Sequence, residues 1–278
     1  MKKYCWFNGK IIICEKISIS PYDLGLLRGY GIIDVMRTQN NKPLLLKEHF
    51  QRFKNGADKL NLKIPFNKIK FEKIIYELLK NNKISNDKEL TIKTILTGGI
   101  SPDAISVKNP ACYILIDDFK ELPERFFKKG AKTITIEHKR YLPEVKTTNY
   151  IEMVKNQNIK NKNKALEIIY VKNGKALEAS TSNLFIVKNN GLISPKNEVL
   201  PGITRNLIIK LVRKNKISVK EKDISENELK NADEVFLTAT NKNIVPIVNI
   251  DGKKIGNGKP GKITKNLMKK LAEFLKNY

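Results

Sequence analysis

The sequence predicts an α/β or α+β protein of two domains. Three observations carry that prediction. The chain has 278 residues, more than one small core needs. Its apolar residues switch between strand and helix periods along the whole length, with no repeat or low-complexity tract. A charged, proline-bearing stretch, DFKELPERFFKKG, interrupts that pattern at 118–130 and ends on Gly130.

In order along the chain, KIIICEKI (10–17) reads as a buried or edge strand. Residues 32–38 and 43–46 read as a hairpin around the turn Asn40–Asn41. A helix follows with Leu46, Phe50, Phe53, Ala57 and Leu60 at helical spacing, and Asn67 caps a second helix with the inner face Phe71, Ile74, Ile75, Leu78 and Leu79. Strands are expected at 90–97 and 111–117. The interruption then divides the chain into a domain of residues 1–118, a linker of 119–130 and a domain of 131–278. Beyond it come a strand at 132–138, a helix from about Asn149 to Lys160, and strands at 165–171 and 183–188 flanking the turn Asn173–Gly174. A helix after PGITR carries Leu207, Ile208, Leu211 and Val212 in phase. Strands at 233–239 and 244–250 lead to a last amphipathic helix with Ile263, Leu267, Leu271, Phe274 and Leu275.

Composition excludes several classes. The formal net charge is +25, and basic proteins often bind nucleic acid. Here the lysines are spread among asparagines over the whole chain, without a block of five or six like charges or an aromatic-basic signature. That pattern reads as a solvated surface under compositional bias, and a basic nucleic-acid-binding protein stands as the reading outside enzymes. Cys5, Cys14 and Cys112 are far apart, odd in number and without CxxC pairing, which argues against a disulfide framework or a zinc site and fits the cytoplasm. The start MKKYCWFNGK lacks the apolar core of a signal peptide, and no run approaches membrane-spanning length. In a chain that uses lysine by default, the few arginines either mark places where a planar, forked donor is needed or are chance survivors, and Arg28, Arg37, Arg52 and Arg205 fall in the segments below.

Five segments could carry chemistry. In YLPEVKTTNY (141–150), Lys146 is either one more solvated charge or a nucleophile. LPGITRN (200–206) sets a Pro-Gly turn before a helix that Thr204 can cap, an arrangement suited to an anion, although most such helix starts meet only water. In ALEASTSNLFIV (176–187), Glu178 lies in a strand between apolar neighbours: it either faces solvent on an edge or meets a cationic group such as a protonated ring nitrogen. TATNKN (238–243) puts small hydroxyl residues at the C-terminal end of an apolar strand, where ligands often lie. In KEHFQRF, His49 and Arg52 share a helix face by their spacing, though a lone histidine is more often packed than liganded. The chain has no Walker loop, G-x-S-x-G elbow or H-E-x-x-H, and Gly29-Tyr30-Gly31 is not part of a dinucleotide fingerprint.

Taken together, and in this order, SPYDLGLLRGYGIIDVMRT, EHFQRF, VKTTNY, LEASTSNLFIV, VLPGITR and VFLTATNKNIVPI resemble the signatures of the fold-type IV pyridoxal-phosphate enzymes. That class includes branched-chain aminotransferases, D-amino-acid aminotransferases and aminodeoxychorismate lyases. The resemblance implies a two-domain fold-type IV architecture, the N-terminal domain the smaller and the C-terminal domain, carrying the cofactor lysine and phosphate site, the larger. It also implies a homodimer that uses pyridoxal 5'-phosphate, with no metal and no membrane. By this resemblance Lys146 is the Schiff-base lysine that also shuttles the substrate's α-proton, and Glu178 pairs with the ring nitrogen. Arg52, Ile203, Thr204 and Thr240 would take the phosphate. Tyr150 would bond the ring hydroxyl, although in the branched-chain pattern that tyrosine stands one residue further from the lysine.

The reaction implied is exchange of an amino group between an amino acid and a 2-oxo acid such as 2-oxoglutarate. The chain departs from the usual D-amino-acid pattern, because GGISPDAIS lacks the Arg-x-His pair of the loop after the 90–97 strand. It departs from the branched-chain pattern too, with Ala239-Thr240-Asn241 where Gly-Thr-Ala is usual. LLRGYGIIDV, TGGISPD and LPEVKTTNY look most like D-amino-acid transaminases that lack the Arg-x-His pair. A D-amino-acid transaminase is therefore favoured, with a branched-chain L-enzyme next and the lyase as a further alternative. Arg28 and Lys93 are the candidate anchors for the substrate carboxylate, and Tyr30 and Asn241 are candidate substrate neighbours.

Overall fold

The computed structural model describes residues 3–82, 88–215 and 217–278. They divide into two units, one of residues 1–120, 145–149 and 278 and one of 121–144 and 150–277.

The first unit is built on a six-stranded sheet in which every described pair is antiparallel. Strands β1 (Tyr4–Phe7) and β2 (Lys10–Ile13) form a hairpin, and the chain then takes a 3₁₀ turn over Cys14–Lys16, so the strand expected over 10–17 stops at Ile13. The short helix α1 (Leu24–Arg28) is capped by Asp23, whose carboxylate accepts the Gly25 N–H at 2.6 Å, and ends on Gly29 at φ 62°. Then come β3 (Gly31–Gln39) and β4 (Lys42–Pro43), joined through Asn40 and Asn41 at φ 52° and 60°. Helices α2 (Leu46–Lys59) and α3 (Lys68–Asn81) follow, the second capped by Asn67 as its sequence predicts, before β5 (Leu90–Ile100) and β6 (Asn109–Asp118). The sheet order is β2-β1-β6-β5-β3-β4. Strand alternation puts Ile32, Asp34, Met36 and Thr38 on the buried face of β3, under α2. A run of ring contacts, Trp6–Phe66–Phe71–Phe50, fills the core between sheet and helices.

Residues 145–149 belong to this unit and not, as expected, to the C-terminal one. The reason is main-chain pairing. The N-terminal half of β3 lies beyond the reach of the two-residue β4, and the lysine segment fills that edge. Ile33 N–H donates to the Lys146 carbonyl at 2.8 Å, Thr148 N–H donates to the Gly31 carbonyl at 3.0 Å, and Ile32 bridges Thr147. Gly31 is required here: a Cβ would meet the Leu96 carbonyl oxygen at 2.9 Å and Thr148 Oγ1 at 3.3 Å.

The second unit opens with α4 (Arg125–Lys129) and β7 (Ala131–Glu137). Residues 121–130 are thus part of this unit and no linker, since Leu122, Phe126 and Phe127 pack against its core. The helix expected from 149 to 160 is two short ones, α5 (Ile151–Lys155) and α6 (Gln157–Lys162). They break at Asn156, whose side-chain amide donates to the Glu152 carbonyl at 2.8 Å and competes with the helical ladder. Next come β8 (Glu167–Lys172), β9 (Lys175–Ala179), β10 (Asn183–Lys188), β11 (Gly191–Ser194) and α7 (Ile203–Lys214). The chain continues through β12 (Val219–Glu221), β13 (Ile224–Ser225), α8 (Glu226–Lys230), β14 (Glu234–Ala239) and β15 (Asn243–Ile250), and ends with β16 (Lys253–Lys254) and α9 (Lys262–Lys276). The described strands form one mixed sheet of order β12-β11-β10-β14-β15-β7-β8-β9-β13, with β16 on β15, parallel at β11/β12, β15/β7 and β7/β8. One face carries Ile169, Leu184, Ile186, Val235 and Leu237 into the main core. On the other, Phe185 and Phe236 stack with centroids 4.8 Å apart, both fully buried. Among the described residues, no helix is long and apolar enough to cross a membrane.

Phe236→Ala removes half of that stacked pair from a closed core. It should lower the unfolding free energy by about 3–5 kcal/mol, read as an earlier urea midpoint.

Candidate active site

In the first unit the site residues converge on a carboxylate that the sequence reading passed over. Asp34 lies on the buried face of β3, 5% exposed. His49 and Arg52, one helical turn apart on α2, both reach it: His49 Nδ1 lies 2.5 Å from Asp34 Oδ1, and Arg52 Nε donates to Asp34 Oδ2 at 2.8 Å. Burial alone would raise the Asp34 carboxyl, but the Arg52 guanidinium and the His49 contact hold it well below the usual carboxylate range. Burial pushes His49 down from its ordinary value; Asp34 opposes that shift, while the positive charges of Arg52 and Lys146 add to it. The pair is therefore a carboxylate accepting from a neutral imidazole. Lys146 lies near enough to His49 for its charge to be felt there. Because Arg52 is held by Nε, its two terminal nitrogens have no protein partner among the described residues.

In the second unit, Glu178 on β9 is 5% exposed, and no solvent-facing edge explains it. It faces a cation, but a protein one: Arg140 donates from Nη2 at 2.7 Å and from Nε at 2.8 Å. The other carboxylate oxygen accepts the Leu200 N–H at 3.0 Å, which ties β9 to the turn before α7. A buried carboxylate without such partners would cost several kcal/mol. Helix α7 starts at Ile203 with Gly202 as N-cap and no side-chain cap, so Thr204 lies inside the first turn and does not cap it. The Ile203 and Thr204 amides have no partner among the described residues. At Gly202 a Cβ would meet Asn183 Oδ1 at 1.8 Å, so any side chain there would have to displace Asn183 from its bond to the Leu200 carbonyl. Arg205 serves structure: buried, it donates to Ser194 Oγ at 3.0 Å and the Pro195 carbonyl at 2.8 Å, and it pairs with Glu221 at 3.1 Å. Asn183 pairs with Thr238 across β10 and β14, which brings the start of α7 beside the end of β14. There Thr238 Oγ1 is buried with no hydrogen-bond partner among the described residues, and half-buried Thr240 opens the β14–β15 turn. That turn is anchored by Lys242, whose Nζ lies 2.7 Å from Glu167 Oε1 and 2.6 Å from Thr181 Oγ1.

Four expected substrate residues are not gathered into either cluster. Arg28 is exposed at the end of α1, its Nη1 on the neighbouring Leu27 carbonyl. The Tyr30 hydroxyl donates to the Leu60 carbonyl at 2.6 Å, anchoring the end of α2. Lys93 pairs with Val35 across β3 and β5, whereas Asp34 pairs with Thr94; strand alternation therefore puts Lys93 on the opposite face from Asp34, where it binds Asp117 at 2.9 Å. Asn241 is exposed, and its neighbour Lys242 turns inward instead. Tyr150 is half-buried at the start of α5. Asp34, Arg140, Glu167 and Lys242 were missed. Asp34 and Glu167 carried the same signal as Glu178, a carboxylate in an apolar strand; Arg140 carried only that of being one of few arginines, and Lys242 carried none in a chain this basic.

The Amino-transferase class IV family model matches residues 31–250. The chain belongs to the class IV aminotransferases. Among curated relatives, this class IV enzyme is 32% identical to a D-alanine aminotransferase of Listeria monocytogenes, covering 96% of this chain and 94% of the relative. It is 30% identical to a Methanocaldococcus jannaschii protein provisionally described as a branched-chain-amino-acid aminotransferase, covering 97% and 95%. Its fold matches the branched-chain amino acid aminotransferase of Escherichia coli at TM-score 0.90 and 23% identity, over 99% of this chain and 95% of that one. It matches the T.th. branched-chain amino acid aminotransferase, solved with pyridoxamine 5'-phosphate, at 0.90 and 24%, over 99% and 94%. Class IV aminotransferases use pyridoxal phosphate, and the donor set here suits that group. Within the second unit, the two uncapped amides after Gly202 are donors of the kind a phosphate takes, and buried, anchored Glu178 is an acceptor of the kind a protonated ring nitrogen takes. Within the first unit, the terminal nitrogens of Arg52 are donors of the same kind as those amides.

His49 makes stability depend on pH in a definite direction. In the unfolded chain an imidazole titrates at about 6.5, while in the fold it binds its proton only at lower pH. The stability His49 contributes is thus complete above about 6.5 and is lost as pH falls towards its folded value. His138 shifts in the same direction, through burial first, and shares the slope. His49→Gln should flatten the loss of stability between about pH 6.5 and 5, measured by urea unfolding across a pH series.

Proposed function

We propose that this class IV aminotransferase is a D-amino-acid transaminase that passes an amino group to a 2-oxo acid such as 2-oxoglutarate, with Lys146 as its catalytic residue. The observation that carries the chemistry is the lysine held on the edge of β3 beside the Asp34–His49–Arg52 cluster. When bound, pyridoxal phosphate supplies an electron sink for the substrate's α-carbon. Lys146 would be the residue that holds the cofactor covalently and, once the incoming amino group has displaced it, the free base that takes and returns the proton at the substrate Cα. Arg52 and the Ile203, Thr204 and Thr240 donors would hold the phosphate. Glu178, kept in place by Arg140 and the Leu200 N–H, would accept from the ring N–H, and Tyr150 would bond the ring hydroxyl.

The D-alanine aminotransferase relatives favour the D-amino-acid reading, and the Methanocaldococcus relative favours a branched-chain L-enzyme as second reading. A homodimer is part of the proposal. Tyr22, Leu26 and Ile105 are 64, 67 and 79% exposed, and Leu27 and Ile100 are exposed with them. The Asp23–Ile100 bridge and the Ser101 N–H bond to the Tyr22 carbonyl hold these segments together as one apolar surface, fit for a second copy of the chain. Arg28 stands on that surface. The cytoplasm is the proposed compartment, in keeping with three free cysteines, two of them buried.

The absorption spectrum tests the class and the handedness together. The purified protein should show the visible band of lysine-bound pyridoxal phosphate, bleached by D-alanine and not by L-leucine. Bleaching by L-leucine alone would select the branched-chain reading, and a band that survives both and D-glutamate would favour the lyase. Lys146→Ala should abolish the band. Arg28→Ala should raise the amino-acid KM by about 10–100-fold, the worth of one charge-assisted hydrogen bond, with cofactor affinity intact. An unchanged KM would remove Arg28 as the carboxylate anchor.

A further inference from the structure

Lys242 and Glu167 form a buried ion pair that none of the proposed cofactor contacts uses. Glu167 is 3% exposed and Lys242 14% exposed at its side chain. Glu167 sits at the start of β8 and accepts Lys242 Nζ at 2.7 Å, Ser180 Oγ at 3.2 Å, the Thr181 N–H at 2.8 Å, Thr181 Oγ1 at 2.9 Å and, more tightly, Ser182 Oγ. One carboxylate therefore organises the whole β9–β10 loop, and through Lys242 it also seizes the β14–β15 turn. The β14–β15 ladder closes that turn at its base, where Ala239 pairs with Asn243, and Lys242 ties its tip to Glu167 and Thr181. Its internal main-chain bond is Lys242 N–H to the Ala239 carbonyl at 3.1 Å, and Asn243 closes it at φ 57°. The Thr240 hydroxyl makes no bond among the described residues.

We propose that Lys242 is a positioning residue for the cofactor phosphate: pinned between Glu167 and Thr181, it fixes the β14–β15 turn so that Thr240 presents its donors to the phosphate without Lys242 touching it. The inference rests on the reading of Thr240 as a phosphate ligand. A loose turn would spend binding energy on ordering Thr240, whereas a turn already clamped does not. The clamp is net neutral, since the Lys242 charge is cancelled by Glu167, so its contribution is geometry and not an added cation. Both groups are shielded from solvent, so the clamp should also resist salt, unlike an exposed lysine that attracts the phosphate directly.

The test is cofactor titration of the apoprotein, comparing pyridoxal phosphate with pyridoxal, which lacks the phosphate. Lys242→Met leaves Glu167 charged and buried, and it can fail to fold; Glu167→Gln combined with Lys242→Met removes both charges and serves as the folded control. In whichever folds, the Kd for pyridoxal phosphate should rise at least tenfold while the Kd for pyridoxal stays within twofold, and Lys242→Arg should restore most of the loss. Thr240→Val should produce the same phosphate-selective loss, and adding it to the double variant should weaken binding little further. Equal loss for both ligands would mean a general structural role and overturn the proposal. So would an unchanged Kd in the Lys242 variants while Thr240→Val weakens binding. An unchanged Kd in Thr240→Val would overturn the phosphate reading of Thr240 itself, and the proposal with it.

Discussion

The Asp34 carboxylate organises the first unit's part of the site. It is buried on a strand face, where an unpaired charge would be intolerable, and it is satisfied by two groups one turn apart on α2. Each partner is constrained in return. Arg52 is gripped by Nε, which seats its guanidinium against Asp34. His49 is held neutral by burial and by the cations around it. The lysine segment depends on the same strand, since its main chain completes the edge of β3 at Gly31–Ile33, immediately before Asp34. A shift in β3 would move lysine, arginine and carboxylate together, which is the sense in which this unit presents one rigid cluster.

The second unit solves the same physical problem twice more. Glu178 is neutralised by Arg140 and Glu167 by Lys242, each carboxylate also taking main-chain N–H bonds from a neighbouring loop. Buried pairs of this kind add little net stability compared with apolar packing, but they tolerate only one arrangement. In a chain with a net charge of +25, most lysines are solvated and interchangeable. Lys242 is an exception, its charge cancelled inside by Glu167.

How much of this was legible in the sequence varied with the range of the interaction. The helical spacing of His49 and Arg52, the Asn67 cap and the Pro-Gly turn before α7 are local, and local rules placed them well. Asp34, Arg140, Glu167 and Lys242 escaped notice because their importance lies in partners 15 to 75 positions away. Lys93 shows the converse. It looked like a free cation near the substrate loop, yet β3–β5 register places it on the opposite sheet face from Asp34, paired to Asp117. Register is set by pairing across strands and is invisible within one of them.

By itself the sequence placed the longer strands and helices and the six motif segments, because these follow from periodicity, turn chemistry and residue type within short windows. Only the tertiary structure decided which unit owns Lys146, which carboxylates are buried and what neutralises them. Those outcomes depend on which backbone edges remain unpaired and which faces are covered once distant segments meet, and no short window contains that information.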